Sequence, residues 1–197
     1  MNKFSSTKSW GGFDRSLSRY ETALIGSALA GLAIGLFATV TRKAAMQAPT
    51  ALAPDWVEGL TREHKAVLTL FDKLEATERS QTGKRKALVV KLKLALTKHA
   101  VEEENVVYPA LREAGEESAV DGLSDDHAAV KHYLYRLTMM EADSPEFMKT
   151  VRAFRADIEK HMKEEERDLF PRLKAKLDDA ANKRLSAMVN KEGYHAA

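Results

Sequence analysis

From Pro54 onward apolar residues recur at spacings of three and four with no alternating stretch, which predicts helices throughout and no strands. The first helix starts at Pro54 and gathers Val57, Leu60, His64, Val67, Leu68, Phe71 and Leu74 on one face. Thr82 and Gly83 mark a turn. A second stripe runs Leu88, Leu92, Ala95, Leu96, His99, Glu103 and Val106 and ends near Gly115, and a third carries Leu123, His127, Val130, Leu134 and Leu137. Ser144 as N-cap and Pro145 at the first helical position open a fourth, lined by Val151, Phe154, Ile158, His161, Met162, Glu165 and Leu169. Residues 178–190 add a short tail helix. Four amphipathic helices with short connections predict an all-α fold over 54–197, an antiparallel up-down four-helix bundle.

The pattern upstream is different. Residues 1–20 are polar and Ser-rich, and Ala23 to Val40 then runs without a charge until Arg42 and Lys43. Residues 21–43 therefore predict a single-pass transmembrane helix, an N-terminal hydrophobic helix followed by a linker at 44–53, which would leave the protein membrane-anchored. A cleaved signal peptide is the competing reading, but Pro54 after Ala51-Leu52-Ala53 should obstruct cleavage. Ala23, Ser27, Gly31, Gly35 and Thr39 repeat every fourth residue, a small-residue stripe that would let two such helices approach as a homodimer.

Charge and composition remove several function classes. The net charge is +2 with acidic and basic residues interleaved, so no nucleic-acid footprint is present. There is no cysteine, which excludes disulfides, thiolate metal sites and thiol catalysis. Any metal must be held by nitrogen and oxygen.

The candidate chemistry lies in a repeat. Lys98-His99-x-x-Glu102-Glu103-Glu104-x-x-Val107-Tyr108-Pro109-x-Leu111 returns as Lys160-His161-x-x-Glu164-Glu165-Glu166-x-x-Leu169-Phe170-Pro171-x-Leu173. Glu63-His64-x-Ala66-Val67 returns as Asp126-His127-x-Ala129-Val130 at nearly the same offset. Residues four apart on a helix share a face, so His99 with Glu103 and His161 with Glu165 each project an imidazole and a carboxylate into one layer. A buried ionised carboxylate is costly unless paired, and a pair of divalent cations would remove that cost. His64, His99, Glu103, His127, His161 and Glu165 are thus the expected metal ligands of a dinuclear centre, with positions left over for water or an oxidant. Glu102, Glu104, Glu164 and Glu166 fall off the stripes and are expected to be solvated flanks. Glu102 and Glu164 are also kept as outer partners, because they stand three residues from a histidine. Tyr108-Pro109 and Phe170-Pro171 are expected to pack and to kink the helix ends. His132 is expected at the surface, and His195 carries no signal. Tyr133 and Tyr135 are expected to pack on an amphipathic face, with a hydrogen bond or an electron as the alternative use.

His64, then His99-x-x-x-Glu103, then His127, then His161-x-x-x-Glu165, resembles the hemerythrin-like, HHE cation-binding family over about residues 54–190. The resemblance implies a four-helix bundle around two non-haem iron ions, with the four histidines as terminal ligands and Glu103 and Glu165 bridging. Where oxygen carriers of the family have a second histidine on the third helix, this chain has Lys131, and His132 is one position too far. That departure argues against reversible oxygen transport. It aligns the chain with four-histidine, two-glutamate members, associated with oxygen or iron sensing, nitric oxide handling and peroxide decomposition. The implied function is binding or reduction of O2, H2O2 or NO at the iron pair; a non-enzymatic oxygen or iron sensor, whose stability or dimerisation follows metal occupancy, is the alternative. Manganese and zinc remain compatible with the donor set.

Overall fold

The structure is a computed structural model that describes Lys43, Met46, Gln47 and residues 50–197. All regular structure among these residues is helical. In chain order the elements are α1 (Trp56–Glu75), α2 (Thr82–Glu102), a π-helical turn π1 (Glu103–Val107), α3 (Tyr108–Glu113), α4 (Glu117–Met139), α5 (Pro145–Glu164), a second π-helical turn π2 (Glu165–Leu169), α6 (Phe170–Lys176) and α7 (Asp179–Ala196).

Local chemistry sets most of these boundaries. The Asp55 side chain accepts from the Glu58 amide and opens α1, one residue beyond the expected proline. Ser144 caps α5 through the Phe147 amide with Pro145 behind it, as expected, and Asp178 caps α7 through the Ala181 amide. Gly115, at φ 84°, ends α3 in a left-handed turn: Glu116 donates to the Leu111 carbonyl and Gly115 to that of Arg112. The turn expected at Thr82-Gly83 is displaced, since Gly83 lies inside the first turn of α2 and the chain reverses over 76–81.

The two π turns were not expected. Pro109 has no amide to offer the carbonyl four residues back, and its ring presses on that carbonyl. The helix answers by widening one turn: Tyr108 donates to the Glu103 carbonyl, and Phe170 does the same to Glu165 ahead of Pro171. The prolines do not end the helices: α2, π1 and α3 run on as one continuous rod, and α5, π2 and α6 as another, with helical backbone at every junction.

These rods close a ring: α1 packs on α2 and α5, and α4 packs on α2 and α5. His64 lies in the middle of α1 and meets His99 near the end of α2, so ring neighbours run antiparallel. α7 crosses over α2, π1 and α1 as a fifth helix. The core has two apolar layers. One, around Phe71, Leu92, Phe147, Val151 and Phe154, fills the end nearer the 76–81 turn, with Phe71 edge-on to Phe154 at 5.1 Å. The other, around Trp56, Leu60, Leu111, Phe170 and Val189, fills the opposite end. The histidines and glutamates of the repeat lie between the two layers.

The expected membrane anchoring is corrected: no helix among the described residues is long and apolar enough to cross a membrane. The described helices carry charged outer faces, and the span at 23–40, with its small-residue stripe, lies outside the described residues.

Candidate metal centre

His64, His99, Glu103, His127, His161 and Glu165 come together in the polar layer, each almost fully buried. Their donor atoms fall into two adjoining sets: His64, His99, Glu103 and Glu165, and Glu103, His127 and His161. Glu103 belongs to both. Its Oε1 lies 3.1 Å from His99 Nε2 and 4.0 Å from His64 Nε2, while its Oε2 lies 3.3 Å from His127 Nε2. Glu165 Oε2 stands 3.5 Å from His64 Nε2 and 3.4 Å from His161 Nε2. Each glutamate therefore sits between the two histidine pairs.

The opposite edge of every imidazole is tied to a carboxylate. His64 Nδ1 is 2.7 Å from Glu166, His99 Nδ1 3.3 Å from Glu63, His127 Nδ1 3.0 Å from Glu104 and His161 Nδ1 3.3 Å from Asp126. An Nδ1–H donated outward leaves the Nε2 lone pair directed into the layer, which is how metal-binding histidines are oriented. Glu63 and Asp126 reach within their own helix pair, whereas Glu104 and Glu166 reach across to the other pair. Glu104 and Glu166 are thus corrected from solvated flanks to histidine partners. The available signal was their position one residue beyond Glu103 and Glu165, which points them at a neighbouring helix.

Tyr108 is a further residue whose place was missed. Its hydroxyl donates to Glu165 Oε1 at 3.1 Å and lies 3.1 Å from His127 Nε2. Five residues along an ordinary helix would turn Tyr108 well away from Glu103, but the wide turn of π1 absorbs the extra residue and brings both inward. At the matching position Phe170 has no hydroxyl, and its ring stacks on His64 at 6.2 Å and edge-on to Trp56 at 5.3 Å.

Of the outer partners, Glu102 is buried against Lys98 at 2.8 Å and Glu164 is exposed. His132 is exposed, as expected, and His195 is exposed too. Tyr133 stacks on Phe154 and donates to Asp157, and Tyr135 is exposed, so neither touches the centre.

Electrostatically the layer is strained without a cation. Burial raises both glutamates, but the neighbouring His99 and His127 hold Glu103 well below the usual carboxylate range. Glu165, buried beside the negative Glu103, is pushed well above it. Burial alone would drive the proton off His99, yet Glu103 and Glu63 more than reverse this and hold it well above the usual range. Burial lowers His64, with the His99 charge adding to it, and takes His161 down to about 4. Both Glu103 oxygens, Glu165 Oε2 and His161 Nε2 are buried with no hydrogen-bond partner. Orphaned acceptors converging on imidazole nitrogens are what a divalent cation satisfies, so the residues fit a metal pair.

Beside the His127–His161 set lies a cavity of about 190 Å³, walled by Leu96, Ala100, Val130, Leu134 and Ile158. Lys131 and Glu104 also line it, 3.0 Å apart. This space is large enough for a small molecule.

Residues 56–173 match the hemerythrin HHE cation binding domain family. A crystal structure of a hemerythrin HHE cation binding domain-containing protein from Mycobacterium kansasii is similar at a TM-score of 0.64 and 26% identity, over 73% of this chain and 88% of that one. A DNA nickase from Nostoc sp. is 29% identical over 115 residues, 58% of this chain and 32% of that protein. The chain therefore spans about a third of that relative's length.

Proposed function

Because this chain belongs to the hemerythrin HHE cation-binding family, we propose that its four-helix bundle holds two iron ions and binds or reduces a small oxidant, O2, H2O2 or NO, beside them. His64 and His99 would hold one ion, His127 and His161 the other, with Glu103 and Glu165 shared. The observation that carries this reading is the set of buried acceptors without partners, facing histidines whose outer nitrogens are already engaged. Iron is favoured over zinc and manganese because two imidazoles and shared carboxylates beside an open cavity resemble the donor sets of non-haem iron oxygen chemistry.

When bound, the ions would supply Lewis acidity and electrons for the oxidant. The chain's own residues do the rest. Leu96, Ala100, Val130, Leu134 and Ile158 keep the approach apolar and limit water. The Tyr108 hydroxyl donates to Glu165 Oε1 and lies 3.1 Å from His127 Nε2, so it fixes that carboxylate in place beside the second histidine pair. Disproportionation of hydrogen peroxide to water and O2 balances without an outside electron donor and is the simplest reaction to test.

The test is metal content and the aerobic visible spectrum of protein from iron-supplemented growth, followed by peroxide turnover. Two irons per chain, oxo-bridge bands in the near ultraviolet and O2 evolution support the reading. Zinc alone, or no metal, removes it, and iron without turnover moves it to the sensor.

A further inference from the structure

The two halves of the repeat share a motif but not their surroundings. Lys98 is 2% exposed, and its ammonium is bonded to Glu63, to Glu102 at 2.8 Å and to Thr50 at 3.3 Å. Glu63 in turn accepts from Thr50 and lies against His99 Nδ1. In the second half the counterparts Lys160 and Glu164 are exposed, and Asp126, the partner of His161, is 44% exposed. The difference comes from chain outside the span matched to the family. Gln47, Thr50 and α7 close over the first half, and Gly193 lies so near that a Cβ there would come within 1.8 Å of Glu102 Oε1 and 2.5 Å of Gln47 Oε1. Nothing described covers Asp126 in this way. The second histidine pair also borders more open space: His127 and His161 both line the 190 Å³ cavity, which touches His99 alone of the first pair, and His161 lines a smaller one of about 80 Å³ that includes Asp126.

A carboxylate fixes a metal-binding imidazole only while it keeps its own place, and loss of such an outer partner typically weakens metal binding about 10- to 100-fold. Glu63 is held by a buried ammonium and a hydroxyl; water competes freely for Asp126. We propose that Lys98 is a positioning residue that locks His99 through Glu63 and makes the two metal positions unequal, the His64–His99 ion being retained and the His127–His161 ion exchangeable. This rests on the two-metal reading above. It adds a division of labour in which the cavity side exchanges with solvent while the covered side anchors the bundle.

The test follows the anaerobic release of ferrous iron from the full-length loaded protein into excess chelator. The wild type should release iron in two phases of equal amplitude. Lys98→Met should speed the slow phase at least tenfold and leave the fast phase unchanged, Lys98→Arg should restore it in part, and Lys160→Met should change neither. Should Lys98→Met fail to fold, Lys98→Met combined with Glu102→Leu removes the stranded acid, and Gly193→Leu, which displaces the α7 cover but keeps the lysine, should also speed the slow phase. One phase in the wild type, equal acceleration of both phases, or no effect at Lys98 overturns the inference. Fewer than two irons bound by the wild type overturns the two-metal reading itself.

Discussion

Glu103 and Glu165 occupy matching places in the repeat yet hold their protons oppositely, because His99 and His127 flank one and the charge of the first presses on the other. The signs fix a pH dependence. His99 and Glu165 both have folded values raised above their ordinary ones, so the stability each lends the metal-free domain is present at low pH and lost as pH rises. For Glu165 the loss begins above about 4.5, and for His99 above about 6.5. Metal-free protein should therefore melt at lower temperature at pH 9 than at pH 6. Metal uptake must displace those protons, so affinity should rise with pH and loading in weak buffer should acidify the solution, readable with an indicator dye. Glu103→Gln keeps the side-chain shape but removes the charge shared by the two donor sets. It should lose at least one metal by mass spectrometry; full metal content would remove Glu103 from its shared position. Tyr108→Phe should keep both metals and slow oxidant turnover about 10- to 100-fold, the usual range for losing the hydrogen-bond partner of a metal ligand.

At the scale of elements, the apolar stripes identified every rod, because helix periodicity is a local property of side-chain order. The six candidate ligands were readable for the same reason: four of them sit at i, i+4 on those stripes. What the stripes could not show was the π register. A wide turn adds one residue without altering composition, so Tyr108 and the four outer carboxylates could be placed only once the rods were packed. Pro109→Ala restores an amide to the chain and permits an ordinary α turn; the expected outcome is a shifted visible spectrum with unchanged helix content by circular dichroism, as Tyr108 turns away from Glu165. Arg85 shows the same limit of pattern reading. It falls on no polar face, yet its guanidinium is buried, donating to the Thr77 hydroxyl and carbonyl and to the Ala142 carbonyl, and so ties together the two turns at one end of the ring. Arg85→Ala should cost about 2 to 3 kcal/mol in urea unfolding.

For the whole molecule, a layer of buried acids and imidazoles between two apolar layers makes metal part of the fold. A ligand that binds only the folded state at a thousand times its Kd adds about 4 kcal/mol, and in a domain of this size that raises Tm by about 10 °C or more. Chelation should reverse the rise, and a Tm indifferent to metal would mean the layer closes on itself. The pairing of histidines with carboxylates has one more consequence. Glu104 reaches His127 and Glu166 reaches His64, so each helix pair supplies the group that orients one of the other's two histidines. The only covalent link between the pairs is the turn at Gly115, where the Gly115 and Glu116 amides bond back to α3 and Lys176 of α6 donates to the Ala114 carbonyl and the Glu116 carboxylate. Cutting the chain there should yield two fragments that are poor metal binders alone and that reassemble on each other when iron is added, the behaviour of two half-molecules joined for convenience of synthesis.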